Sequence, residues 1–278
     1  MDALSFLYKT VPGRLLLKPL ASRIVSKFCG FFLDSRLSYP LIKGFAKKNK
    51  INLDDYQLEG IKSFNEFFRR KIKDGLRPFD MEPSRLCAPC DGLLSVWEIQ
   101  GKAVIPIKQS RYTIESLLQD KGLADKFDGG LCLVFRLCVD NYHRYCYADS
   151  GKKGPNVFIP GKLHTVRPIA LESLPVFVEN CREYTTIESP NFGLMVQMEV
   201  GAMLVGRIVN HQEEGAAVRG KEKGFFEYGG STIIVLLQKD AAKIDEEFIK
   251  NSALAIESPV KMGQRVGQAV HQGQNSQK

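Results

Sequence analysis

The stretch Gly224-Phe225-Phe226-Glu227-Tyr228-Gly229-Gly230-Ser231-Thr232 runs directly into the apolar Ile233-Ile234-Val235-Leu236-Leu237. Glycine, lacking a Cβ, can hold backbone conformations that crowd a following hydroxyl against the preceding carbonyl. A serine placed there can attack the peptide bond before it; the plainer alternative is a turn entering a strand. Attack needs a base to take the hydroxyl proton and an acid to orient that base. The Asp91-Gly92 turn offers an acid, and four histidines offer the base. His271 lies in a polar tail and His211 in the polar turn Asn210-His211-Gln212-Glu213-Glu214. His143, in Asp140-Asn141-Tyr142-His143-Arg144, follows an apolar run, and His164 follows the Pro160-Gly161 turn in a strand-like segment. A hydrolase nucleophile elbow requires Gly-x-Ser-x-Gly, and Ile233 stands where its second glycine would be.

The first 80 residues read as helical. Leu20, Ile24, Phe28 and Phe32 recur every fourth position, with Arg23, Ser26 and Lys27 on other faces. Such a stripe either docks on the protein's own core or lies in a membrane interface. Further helices are expected over Leu41–Lys48 and from Ser63, where Ser63-Phe64-Asn65-Glu66 has capping-box spacing. From Leu86 onward, short β-like runs alternate with turn signals: Gly92–Trp97, Ala103–Ile107, Leu131–Val139, Val157–Ile159, Leu194–Val200, Met203–Val209 and Thr232–Gln238. One helix, Arg111–Leu118, is expected among them. The pattern predicts an α+β protein: a helical segment over 1–80, a β-rich domain with antiparallel sheets over 81–270, and a disordered polar tail over 271–278.

The net charge of +8 is unevenly placed. Residues 1–50 carry ten Lys or Arg against Asp2 and Asp34, which points to an anionic partner, either nucleic acid or a phospholipid surface. No apolar run reaches the roughly 18 residues of a membrane span. No signal-peptide pattern is present. The seven cysteines are odd in number and mostly in apolar contexts, as expected of reduced core thiols in a cytoplasmic protein. Cys87-Ala88-Pro89-Cys90 has C-x-x-C spacing, but a zinc site would need a second pair, so no metal is expected.

Taken together in order, these segments resemble the phosphatidylserine decarboxylases, of the shorter prokaryotic type with an extended helical N-terminus. The resemblance covers nearly the whole chain. It rests on Ser63-Phe64-Asn65-Glu66-Phe67-Phe68-Arg69-Arg70 with Arg77-Pro78, on Ala88-Pro89-Cys90-Asp91-Gly92, and on Lys108, Tyr112 and Leu117-Leu118. It continues through Asp140-Asn141-Tyr142-His143-Arg144, Leu163-His164-Thr165-Val166, Asn180 and Arg182, Val200-Gly201-Ala202, Val205-Gly206 and Lys223-Gly224, ending at Gly229-Gly230-Ser231-Thr232.

The resemblance implies an enzyme that makes its own cofactor. Ser231 would attack the Gly230 carbonyl, and elimination then hydrolysis would leave a pyruvoyl group at residue 231. The chain would part into a β chain, 1–230, and an α chain from Ser231. A Schiff base between the pyruvoyl ketone and phosphatidylserine would then let carbon dioxide leave, giving phosphatidylethanolamine. By the same analogy Asp91 is the charge-relay acid and His143 serves decarboxylation. The family's second histidine, in Tyr-His-Arg-x-His, is here Cys146. A thiol is a poor base because its ordinary pKa lies about two units above that of imidazole. His164 is therefore expected to take the relay, with His143 serving both steps as the alternative. The basic N-terminus acquires a purpose as a peripheral contact with anionic lipid on the cytoplasmic side of the cell membrane, and no nucleic-acid motif accompanies it. Two other readings remain open: a decarboxylase of another serine-headed phospholipid, and a non-catalytic carrier module suggested by the turn at Glu257-Ser258-Pro259-Val260. Oligomeric state, a homodimer included, is not legible.

Overall fold

The computed structural model describes residues 3–100, 106–107, 110–111, 113–171, 174–202, 207–227 and 231–270. Lys108, Tyr112, Val205, Gly206, Gly229, Gly230 and the tail from His271 lie outside the described residues.

A strand apolar at every position must be covered on both faces, and Ser231–Leu237 is such a strand, buried throughout. It lies in a nine-stranded sheet between Gly193–Gly201 and Leu131–Leu137, antiparallel to both. Beyond Leu131–Leu137 come Gly92–Glu98 and the edge strand Ser258–Val260. Beyond Gly193–Gly201 come Arg182–Ser189, Gly151–Lys153 and Gly215–Ala217, with Val157–Ile159 also pairing on Arg182–Ser189. The fold is α+β, rich in antiparallel sheet.

Successive strand residues point to opposite faces, so the sheet feeds two cores. Ile234, Leu236, Val196, Met198 and Val200 join Tyr8, Ile114, Leu117, Val166 and Phe177 on one side. Ile233, Val235, Leu237, Leu133 and Phe135 join Tyr145 and Phe226 on the other. There a three-stranded sheet of Ile208–Asn210, Glu222–Phe226 and Arg144–Cys146 lies close by, with the Tyr145 and Phe226 rings in contact at 4.9 Å.

Five helices carry the N-terminal part: α1 Ala3–Lys9, α2 Val11–Leu20, α3 Arg23–Asp34, α4 Leu41–Lys48 and α5 Phe64–Phe68. The stripe starting at Leu20 is split between α2 and α3, because Ser22 caps α3 by accepting the Val25 N–H at 3.3 Å. Helix α3 turns its small residues inward. Ser26, Gly30 and Leu33 are buried, whereas Ile24, Phe28 and Phe31 are 68%, 71% and 75% exposed. The stripe therefore does not dock on the core. Among the described residues no helix is long and apolar enough to cross a membrane.

Two local expectations shift. The helix expected from Arg111 begins at Ile114, because Thr113 and Ser116 form the capping box that starts it. Arg182–Ser189 is a strand that polar composition hides: Glu183 and Glu188 punctuate it, and Arg182 is buried by donating to the carbonyls of Ser116, Leu117, Val178 and Asn180.

Candidate active site

Register brings the candidate residues to one end of the large sheet. Across that end Gly201 pairs with Ser231, and Ser231 with Leu137. Gly92 lies opposite the end of the same Leu137 strand; a Cβ there would meet the Arg136 carbonyl oxygen at 2.9 Å, so only glycine allows the approach. Asp91 is thus one residue beyond a row whose neighbours are about 4.8 Å apart. The loop that leaves Leu137 carries His143, and Asn180 ties His164 to the Gly201 side.

Ser231 is fully buried and its Oγ has no hydrogen-bond partner among the described residues. Alternation puts its side chain on the face of Ile233 and Val235, toward Tyr145 and Phe226. His143 belongs to that same layer, since its carbonyl accepts the Phe226 N–H at 2.9 Å. The imidazole is fully buried, packed on the Phe68 ring with centroids 4.1 Å apart. Its Nδ1 lies 2.9 Å from the Asn141 carbonyl oxygen. A carbonyl can only accept, so Nδ1 carries the hydrogen and Nε2 keeps its lone pair. Nε2 has no partner. Burial pushes the His143 pKa down to about 3, the neighbouring Arg70 adding to the shift, while the Asn141 carbonyl and Asp91 oppose it.

That shift sets a pH dependence for folding. Folded His143 stays neutral where an unfolded histidine, with its pKa near 6.5, takes up a proton. Stability is full above about pH 6.5 and falls as pH drops toward 3, reaching a loss of about 2 kcal/mol at pH 5 from this residue. Urea midpoints at pH 7 and pH 5 measure it, and the gap should shrink by that amount in His143→Gln.

His164 sits on the other side. Its N–H donates to Asn180 Oδ1 at 2.9 Å, and Asn180 Nδ2 donates to the carbonyls of His164 and Gly201. The ring meets Tyr8 edge-on at 6.2 Å, and Nε2 is 3.3 Å from Glu179 Oε2. Burial lowers its pKa, and Glu179 pulls it back. Tyr8 and Val166 belong to the core beneath Thr232's face, not that of Ser231.

Among the described residues Asp91 makes no hydrogen bond to either imidazole. Arg77 donates to both of its oxygens, Nε to Oδ1 at 2.7 Å and NH2 to Oδ2 at 2.6 Å. The Met262 N–H adds a bond to Oδ1 at 2.9 Å, and Lys261 Nζ stands 3.6 Å away. The pair is nearly buried. The acid therefore locks the entry to Gly92–Glu98, and a backbone carbonyl, that of Asn141, orients His143. Cys146 is a buried thiol donating to the Pro89 carbonyl at 3.2 Å, with its pKa raised by burial; it is no base. Cys87 and Cys90 are likewise buried, reduced and shifted upward. Among the described residues no cluster of His, Cys, Asp and Glu could hold a metal ion.

One feature beside the site escaped the sequence reading. Glu199 and Lys223 form a fully buried ion pair at 2.6 Å, joined by Asn210, which accepts from Lys223 at 2.8 Å and donates to Glu199 at 3.2 Å. Glu199 lies on the Ser231 face, two residues before Gly201, and its Oε1 has no hydrogen-bond partner among the described residues. The available signal was a carboxylate inside the otherwise apolar run Leu194–Val200.

Comparison with known proteins gives the family of the chain. Residues 64–268 match the phosphatidylserine decarboxylase family. Phosphatidylserine decarboxylase proenzyme 2 of Clostridium acetobutylicum is 42% identical over 266 residues, covering 95% of this chain and 91% of its own. The phosphatidylserine decarboxylase proenzyme of Ruminiclostridium cellulolyticum is 41% identical, covering 96% and 91%, and that of Clostridium perfringens 37% identical, covering 89% and 86%. With a matched region spanning most of its length and such identities, the chain belongs to the phosphatidylserine decarboxylase family and is a carboxy-lyase.

Proposed function

We propose that this protein decarboxylates phosphatidylserine to phosphatidylethanolamine with a pyruvoyl group made from Ser231. The observation that carries this is the buried, unpartnered Ser231 hydroxyl at the start of its strand, facing the layer that holds a neutral, base-ready His143. The relatives' names support the substrate, and the word proenzyme in them supports maturation by cleavage.

In maturation, His143 Nε2 takes the Ser231 Oγ proton as Oγ bonds to the Gly230 carbonyl carbon. The Gly230–Ser231 C–N bond then breaks, the nitrogen accepts the proton, and an ester remains. Loss of the Ser231 α-proton expels the Gly230 carboxylate, and water releases the nitrogen as ammonia. His143 is favoured over His164 because its backbone is bonded to Phe226, of the core on the Ser231 face, whereas the His164 ring meets Tyr8, of the opposite core. The Asp91 charge, felt at His143 without a direct bond, favours the imidazolium formed on proton uptake. The residues present fit a pyruvoyl group, since residue 231 is enclosed and its hydroxyl is engaged in nothing else. Once formed, that group supplies a conjugated carbonyl as an electron sink. Phe68 packs on the His143 ring, and a proton taken up from water by His143 Nε2 passes to the carbon that loses carbon dioxide.

The N-terminal helices support a peripheral position on an anionic membrane. Ile24, Phe28 and Phe31 face outward beside Lys27 and the other basic residues of that segment. Burying a phenylalanine in the interface contributes about 2 kcal/mol. Phe28→Ser with Phe31→Ser should therefore lower sedimentation with phosphatidylserine vesicles by well over tenfold, leaving chain cleavage intact. Two measurements test the reading as a whole: the intact mass of the small chain, which should end in a carbonyl rather than an amine, and carbon dioxide release from defined lipids. A chain that stays whole, or release from no serine-headed lipid, defeats it.

A further inference from the structure

A cleft of about 520 Å³ opens between α3 and the β-rich body. Ser26, Lys27 and Phe31 line it from the helix, and Phe158, Arg207 and Glu227 from the body. Its outer lip is continuous with the exposed face of α3, where Phe28 and Phe31 stand in solvent. Its inner side lies against the strand next to that of Ser231. Cys181 also lines it, and the Cys181 carbonyl accepts the N–H of Gly201, the residue paired with Ser231. Glu227 precedes Ser231 by four positions.

We infer that this cleft holds the glycerophosphate of one phospholipid molecule, with its phosphodiester on Lys27 and Arg207 and its apolar part on Phe31 and Phe158. The inference rests on the decarboxylase reading above and adds the residues that recognise the lipid rather than its serine.

Four features of the cleft lead to this occupant. The Arg207 side chain is 69% exposed and only loosely engaged, with NH1 3.6 Å from Glu227 Oε1, so its donors are free for an incoming anion. Lys27 is exposed and has no ion pair among the described residues. The acids that line the cleft have other partners: Arg69 NH1 stands 3.7 Å from Glu227 Oε1, and Asp34 Oδ1 accepts from Asn65 at 3.0 Å. Ser26, only 6% exposed, presents an Oγ with no hydrogen-bond partner among the described residues at the cleft wall. A groove apolar at its lip, cationic along one side and backed by the residues that adjoin Gly201 matches a phospholipid entering headgroup first. A soluble amino acid would have no use for the apolar lip, and a peptide no use for paired cations beside it.

The test uses the matured enzyme and dihexanoyl phosphatidylserine below its micelle threshold, so that membrane binding plays no part. With wild type, dihexanoyl phosphatidic acid should compete, whereas dihexanoyl glycerol and inorganic phosphate at equal concentration should not. Lys27→Gln and Arg207→Gln should each raise KM about tenfold with kcat held within about twofold, as expected for loss of one charge-assisted hydrogen bond. Arg207→Lys should recover most of the loss, and Lys250→Gln, a charge removed far from the cleft, should change nothing. Electrophoresis shows whether each variant has cleaved itself; the competition on wild type decides the matter for any that has not. Competition by the glycerol or by inorganic phosphate as strong as by the phosphatidic acid overturns the inference, as does an unchanged KM in cleaved variants. Either result leaves decarboxylation standing, whereas wild type that releases no carbon dioxide defeats the functional reading itself.

Discussion

Ser231→Ala should leave one chain of 31.2 kDa, with no small fragment and no decarboxylase activity above background. The reasoning is chemical. Without Oγ there is no internal nucleophile, hence no ester, no cleavage and no carbonyl at residue 231. The fold should survive, because Ser231 contributes no side-chain hydrogen bond and alanine fills nearly the same buried volume. Circular dichroism and the urea midpoint should therefore match wild type to within about 1 kcal/mol. Ser231→Cys separates the requirements further: a thiol can attack the carbonyl, so cleavage should persist at a reduced rate. An alanine variant that cleaves normally would remove Ser231 from the centre of this account.

The second large effect divides the two histidines. His143→Asn should slow self-cleavage by about a thousandfold or more, the scale on which loss of a general base acts. His164→Asn should leave cleavage within a few-fold of wild type and show its effect in stability. The difference follows from geometry. His143 lies in the layer over the Ser231 face, with Nε2 free and its tautomer fixed by the Asn141 carbonyl. His164 lies with Tyr8 and Glu179 toward the other core, held through Asn180. Time courses of chain cleavage after denaturant removal, followed by electrophoresis, measure both. Because burial holds the His143 pKa near 3, cleavage should not lose its base between pH 8 and pH 5 as an ordinary histidine would. Normal cleavage in His143→Asn together with arrest in His164→Asn would reverse the assignment.

Much of the framework was legible in the residues. The apolar run after Ser231 had to be a doubly covered strand, and α4 occupies Leu41–Lys48 as its periodicity indicated. The Ser63 cap is present, its Oγ accepting the Glu66 N–H at 3.3 Å, and the short helix it starts brings Phe68 onto His143. The charge excess of the first 50 residues and the Leu20–Phe32 stripe could also be read directly. Which way that stripe faces could not, because periodicity gives an angle around a helix and no direction for the core. Small residues at Ser26 and Gly30 settled it by letting α3 approach the body on their side.

By itself the sequence determined the types of groups present: a serine after two glycines, a buried-type acid before Gly92, histidines in short supply, and a cysteine at position 146 in place of an imidazole. These are local facts, set by covalent order and by period. Only the tertiary structure decided which of them meet. Asp91 is bonded by Arg77, fourteen residues upstream, and by the Met262 N–H, partners that its neighbours in the sequence do not indicate. Strand parity assigns Ser231 and Thr232 to opposite faces of the sheet, register across five strands sets which residues share its end, and the segments carrying His143 and His164 pack against different cores. Pairing of that kind is a sum over contacts far apart in the chain, and no single segment of the sequence contains it.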